Sequence, residues 1–212
     1  MNAIQIYYEK LADTIISNLK KRQMEGYYVK TSKEAVDLAL SFLPQNALVS
    51  FGGSMTLVQS GMYDALKSNP AIRLLDRSTA KTADEIEALY HNSLSADTYF
   101  MSSNAITSDG VLVNIDGRGN RAAALIYGPK DVVILAGMNK IVPSVKEAVR
   151  RVRNTATPPN CIRLNKQTPC SVTGTCDDCL SPDCICNQIV ITRRSGTKGR
   201  IKVLLIGENL GF

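Results

Sequence analysis

Between residues 96 and 142 the chain alternates three apolar runs, each too short for a helix, with segments dense in Gly, Asn, Asp and Ser. The runs at 98–101, 111–115 and 132–136 are short and continuous, the pattern of buried strands. The polar segments at 102–110, 116–121 and 137–140 follow or join them. Buried strands ending in small polar loops build ligand pockets along the edge of an α/β sheet.

The flanking sequence fits such a fold. Ile4, Tyr7, Tyr8, Leu11, Ile15 and Leu19 recur at helical spacing through residues 2–25, with Gly26 placed to end that helix. Thr31-x-x-Glu34 and Thr82-x-x-Glu85 have capping-box form and predict helices over 35–43 and up to about residue 94. Strands are predicted at 47–51 and 72–75, a helix from the Gly52-Gly53 turn to about residue 66, and a helix over 144–153 begun by Pro143. Residues 156–160, with Pro158 and Pro159, read as a break, and no helical period follows before strand-like runs at 188–192 and 201–206. Strands alternating with helices imply an α/β, doubly wound, mostly parallel sheet, with local antiparallel or irregular structure in the hairpin-like part at 110–136. The expected organisation is an α/β core over 1–155 and a Cys-rich segment over 156–212, whose two C-terminal strands pack on that core.

No apolar run approaches the roughly 20 residues that span a bilayer, and the N-terminal helix carries scattered charge without a small-residue cleavage site. The expected compartment is therefore the cytoplasm. Residues 1–139 hold 13 Lys/Arg and 14 Asp/Glu, whereas 140–212 hold 12 and 5, so the excess positive charge lies in the tail. The basic run from Arg193 to Lys202 lacks neighbouring aromatics for base stacking, so nucleic acid is not an expected partner. Homo-oligomerisation is left open.

Two segments are candidate ligand contacts. Gly52, Gly53, Ser54 and Thr56 lie in a strand–turn–helix arrangement suited to holding an anion on backbone N–H groups and hydroxyls. Asn104, Gly110, Asn114, Gly117, Gly119, Asn120, Arg121, Gly137, Asn139 and Lys140 surround the central strand ends. Arg121 and Lys140 suit a carboxylate or phosphate, making a small anionic metabolite the expected ligand, and Asp109 or Asp116 the candidate base.

The segments SFGGSMTL, SSNAITSDGVLVNIDGRGNRAAALIYGP, VVILAGMNKIV, TGTCDDCLSPDCICN and GRIKVLLIGENLGF together resemble the lactate-utilisation (LUD) domain family. The resemblance implies a three-layer α/β/α fold similar to ribose-5-phosphate isomerase, the CoA transferases and the methylthioribose-phosphate isomerases. It also implies a role in lactate oxidation beside a separate iron–sulfur subunit. Asn104 stands where those isomerases carry an acid and cannot abstract a proton, and no glutamate lies near either loop to serve as a CoA-transferase nucleophile. A sugar-phosphate isomerase-like or CoA-transferase-like enzyme and a non-catalytic scaffold are therefore the alternative readings.

All six cysteines fall between residues 161 and 186. Without a secretion signal such crowding points to metal ligation or redox work, with free thiols or adventitious disulfides as the alternative. Cys176-Asp-Asp-Cys179 has the spacing that lets two sulfurs reach one ion. By resemblance to short LUD-domain tails, the expected ligand set is Cys170, Cys176, Cys179 and Cys186, leaving Cys161 and Cys184 outside it. Zinc and a [4Fe–4S] cluster both suit four thiolates; the missing second close pair favours iron–sulfur.

Overall fold

The computed structural model describes residues 2–212, whose strands form two sheets. The larger is entirely parallel, with β1 (Glu25–Val29), β2 (Leu48–Phe51), β3 (Arg73–Leu75), β4 (Thr98–Met101), β7 (Asp131–Gly137) and β10 (Ile201–Ile206) in the order β1-β10-β7-β4-β2-β3. The smaller runs β8-β5-β6-β9, formed by β5 (Ala105–Thr107), β6 (Leu112–Asp116), β8 (Ile141–Val142) and β9 (Gln188–Thr192). In it β6 is antiparallel to both β5 and β9; the antiparallel partners of β6 thus lie outside the 110–136 stretch, whose other strand, β7, joins the parallel sheet.

Side chains of successive strand residues point to opposite faces, so a strand covered on both sides needs apolar residues throughout. Val132, Ile134 and Ala136 of β7 and Ile201, Val203 and Leu205 of β10 meet Ala12, Ile15 and Leu19 of helix α1 (Ala3–Lys21). Val133, Leu135, Leu204 and Ile206 face the other way, against α2 (Ser32–Ser41), α3 (Met55–Gln59) and α4 (Met62–Lys67). The result is a mostly parallel sheet with flanking helices. Helix α5 (Ala83–Ser93) starts at a Thr82–Glu85 capping box, and α6 (Asn120–Ile126) packs Ala124 and Leu125 on the α1 side of the sheet.

Several local expectations are corrected. Helix α1 stops at Lys21, and Gly26 lies inside β1, where a Cβ would meet Leu19 Cδ1 at 2.9 Å. The helix expected after the Gly-Gly turn is divided between α3 and α4 by Gly61 at φ +80°. Ser144, not Pro143, caps α7 (Val145–Arg151), accepting a hydrogen bond from Glu147 N–H. The break at residues 156–160 is absent: α7 passes through a π turn (Val152–Ala156) into α8 (Thr157–Arg163). Pro158 and Pro159 have no N–H to donate, and wider winding just before them accommodates that loss. Residues 155 and 156 thus lie within one continuous helical path, and α9 (Pro169–Thr173) follows in the tail. Strand β10 lies within the large sheet between β1 and β7.

Candidate functional site: a basic cavity beside a thiol cavity

Strands β7, β4 and β2 are parallel neighbours, so their carboxyl ends open on one edge of the sheet. A cavity of about 550 Å³ lies there, the position ligands take in open α/β sheets. Its wall takes Gly53 and Ser54 from beyond β2, Ser102, Ser103 and Asn104 from beyond β4, and Lys140 from beyond β7. The loop from β6 to α6 adds Asp116, Gly117, Arg118, Asn120 and Arg121. Helix α8 and the tail loop close the far side with Asn160, Arg163, Lys166, Asp183, Cys184 and Asn187.

Lys140 is buried at the centre of this arrangement. Its Nζ donates to Thr56 Oγ1 at 2.8 Å and Ser102 Oγ at 3.0 Å, and among the described residues it has no carboxylate partner. Burial, then the positive charges of Arg151 and Arg121, pull its pKa down to about 7. The Thr56 hydroxyl is itself donated to the Leu210 carbonyl at 3.2 Å, so the C-terminal segment helps hold the lysine's acceptor in place.

Arg121 has a different task. Nη1 reaches the Ser102 carbonyl and Asn114 Oδ1; Nη2 reaches Asn104 Oδ1 and the Ile115 carbonyl, both at 2.9 Å. Its Nε lies 3.5 Å from Asp116 Oδ2. This guanidinium is saturated by the protein and ties the β4, β6 and α6 loops together. Asp116 accepts from Gly119 N–H at 3.2 Å and Ala122 N–H at 3.1 Å, so both its oxygens hold the start of α6. Gly119, at φ +90°, supplies the left-handed turn there.

Three arginines missed by sequence reasoning complete the lining. Arg77 follows β3, donates from Nη1 to Tyr90 OH at 3.2 Å and lies across Gly53, where any Cβ would strike its guanidinium. Arg118 pairs with Glu87 at 2.7 Å. Arg163 is held by Asn160 Oδ1, and its pKa is lowered by burial and by the charge of Arg77. Arg77 could have been flagged as lying at a strand end; nothing in the sequence places Arg163 opposite it.

Other expected contacts lie elsewhere. Hairpin β5–β6 points one end at the cavity and the other away, and Asp109 and Gly110 occupy the far turn. There Asp109 pairs with Arg22 at 2.6 Å, and Gly110, at φ +85°, packs on the α1 backbone. The structure does not bring either into the cavity. Gly52 and Thr56 stand behind the wall, Gly52 beside the Tyr99 hydroxyl and Arg121. Asn114 is fully buried, with no hydrogen-bond partner for Nδ2. Gly137 and Asn139 clamp the C-terminal segment, Asn139 accepting from Leu210 N–H at 3.1 Å and donating to the Gly211 carbonyl at 3.3 Å.

A second cavity, of about 210 Å³, is lined by all six cysteines. Cys161 and Cys170 are buried, with sulfurs 3.7 Å apart, so Cys161, outside the ligand set that the family resemblance implies, lines the same cavity as the others. Cys186 is near Thr157 Oγ1 at 3.5 Å. Hydrogen bonding by Ser181 lowers the Cys179 pKa, whereas burial raises those of Cys161 and Cys186. Among the described residues no three His, Cys, Asp or Glu side chains converge tightly enough to hold an ion. Two residues of the basic run are structural: Arg200 donates to the carbonyls of Ala124, Leu125 and Pro129, and Lys202 pairs with Asp131.

The family model for the LUD domain matches residues 12–206. The chain belongs to the LUD-domain family. This makes it a lactate-utilisation-related protein at family level. A DUF162 family protein from Deinococcus radiodurans has the same fold, with TM-score 0.53 and 13% identity over 94% of this chain and 98% of that one. Ribose 5-phosphate isomerase A from Neisseria gonorrhoeae aligns with TM-score 0.36 and 16% identity over 54% of each chain. No curated protein matches the sequence. Among the described residues of this LUD domain, no helix is long and apolar enough to cross a membrane.

Proposed function

We propose that this LUD domain binds a small anionic metabolite in the cavity beyond β2, β4 and β7, in service of lactate utilisation. The observation that carries the reading is the charge of the wall: Arg77, Arg118, Arg121, Lys140, Arg163 and Lys166 against Asp116 and Asp183. Such an excess in a low-dielectric cleft focuses its field and concentrates anions. Arg121 is fully engaged, so Arg77 and Arg163 are the groups offered to a carboxylate or phosphate. Calorimetric titration at low salt with lactate, pyruvate and sugar phosphates tests this. Binding weakened tenfold or more by Arg77→Gln or Arg163→Gln is expected, since a charge-assisted hydrogen bond contributes about 1.5–3 kcal/mol. Absence of binding, or indifference to both changes, would reject the reading.

A second reading rests on the thiol cavity: drawn closer than their present spacing, its sulfurs would hold a thiophilic centre, zinc or a [4Fe–4S] cluster. Six soft donors on one small cavity have the chemistry for either. Cys170, Cys176, Cys179 and Cys186 remain the proposed ligands. A cluster would supply one-electron transfer, and an iron–sulfur subunit of a lactate-oxidising assembly is the partner it would serve. Anaerobic purification with metal analysis distinguishes the cases. Iron with broad visible absorbance, lost in Cys176→Ser, supports the cluster; colourless protein containing zinc supports zinc; metal-free protein rejects both.

A further inference from the structure

Buried lysines are rarely left without a carboxylate, because an isolated ammonium is poorly solvated in a protein interior. Lys140 is such a case, and it sits on the wall of the anion cavity. Its two neighbours within hydrogen-bond distance are hydroxyls, and the nearest charges acting on it are those of Arg151 and Arg121. Arg151 is committed to the Asn104 and Asn139 carbonyls at 2.7 and 3.1 Å. Desolvation beside other cations is how a lysine becomes a nucleophile near neutral pH. A hydroxyl partner also permits the neutral amine, since Ser102 Oγ can donate to nitrogen as readily as accept from it.

We propose that Lys140 forms an imine with a small anionic carbonyl compound, its carboxylate or phosphate held by Arg77 and Arg163. The proposal rests on the anion-binding reading of the same cavity. The Nζ lone pair attacks the carbonyl carbon; a C–N bond forms as the C=O π bond opens to an alkoxide. Both amine protons leave with that oxygen as water, Ser102 Oγ at 3.0 Å from Nζ being placed to pass one across. The product is a C=N bond, and the step is redox-neutral, with no co-reactant. Thr56, held by the Leu210 carbonyl, orients the amine.

The test is incubation of the full chain at pH 7 with cyanoborohydride and either pyruvate or glyceraldehyde 3-phosphate, followed by peptide mapping. The two arms separate a carboxylate-bearing from a phosphate-bearing partner. The burial that lowers the Lys140 pKa to about 7 gives it far more neutral amine at pH 7 than an ordinary lysine, which is unprotonated in roughly one part in 3,000. Reductive labelling at Lys140 at least tenfold above any exposed lysine is therefore expected in one arm, and is absent from Lys140→Arg. Calorimetric titration with lactate, which has no ketone or aldehyde to condense, runs in parallel. Lactate binding without labelling at Lys140 overturns the imine and leaves the anion reading intact. Neither binding nor labelling overturns both. Because mapping is done on the unsubstituted protein, the outcome stands even where a variant fails to fold.

Discussion

Replacing Lys140 by methionine removes a titratable group from a buried site and should make stability respond to pH in a defined way. The lysine pKa falls from 10.5 in an ordinary environment to about 7 in the fold. Above pH 10.5 the amine is neutral in both states and burial carries no charge penalty. Between 10.5 and 7 the unfolded chain binds a proton that the folded chain does not, so stability declines as pH falls, by about 1.4 kcal/mol per pH unit. Below 7 both states are protonated and the loss levels off near 5 kcal/mol, an upper bound for so buried a group. Methionine escapes this loss but forfeits the hydrogen bonds to Thr56 and Ser102, worth about 1 kcal/mol each. Lys140→Met should therefore be more stable than the parent by about 2 kcal/mol at pH 7. Near pH 9 the two should be about equal, because the charge penalty there is about 2 kcal/mol. Urea unfolding at pH 6, 7, 8 and 9 measures the difference directly. A difference that does not change with pH would refute the depressed pKa, and one that widens as pH rises would reverse its sign.

Three further outcomes follow from the contacts around the site. Arg121→Met should cost about 3 kcal/mol in chemical unfolding, because it removes a donor from the Ser102 and Ile115 carbonyls and from Asn104 and Asn114 Oδ1, and leaves buried Asp116 without its cation. Asp109→Asn should change stability by less than about 1 kcal/mol and leave ligand titrations unaltered, since it loses only an exposed pair with Arg22. Gly110→Ala should lower stability by about 1–3 kcal/mol in the same unfolding assay, the new Cβ meeting the Leu19 backbone nitrogen at 3.0 Å from a left-handed residue.

Much of the sheet could be read from the sequence because its strands are buried on both faces. The runs at 132–136 and 201–206 are apolar at every position but Lys202, and only a central parallel strand tolerates that. The elements that escaped are short or carry misleading signals. β5 is three residues inside a polar segment, and β1 contains Gly26, which imitates a helix stop. α6 begins at a glycine with no side-chain cap. Strand-end residues such as Lys140 follow from the parallel order, whereas Asp109 lies one hairpin length away, and sequence spacing does not say which end of a hairpin faces a cavity. Arg77 and Arg163 come from opposite margins of the sheet edge and meet only in three dimensions.

The two cavities share Thr157, Cys184, Ile185 and Asn187 in their walls. Asn187 ties them directly: its N–H is donated to the Asp116 carbonyl at 3.0 Å, and its side-chain amide to the carbonyls of Gly117 at 2.9 Å and Cys184 at 3.3 Å. The loop bearing Cys184 and the loop bearing Asp116 and Gly117 therefore cannot shift independently. On the other side, one helical turn places Asn160 on the larger cavity and Cys161 on the thiol cavity. Anything that draws the sulfurs together or forces them apart must move these shared elements, and coupling free energies between sites are reciprocal. In a Cys184→Ser variant, which keeps the shared wall free of alkyl groups, iodoacetamide adds bulk to the smaller cavity alone and should weaken anion binding at the larger by about fivefold or more, the low end of ordinary coupling. Asn187→Ala should reduce that effect by cutting the tie between the loops. Equal anion affinity before and after alkylation, with mass spectrometry confirming that Cys176 and Cys179 are modified, would show the shared wall to be rigid and the cavities independent.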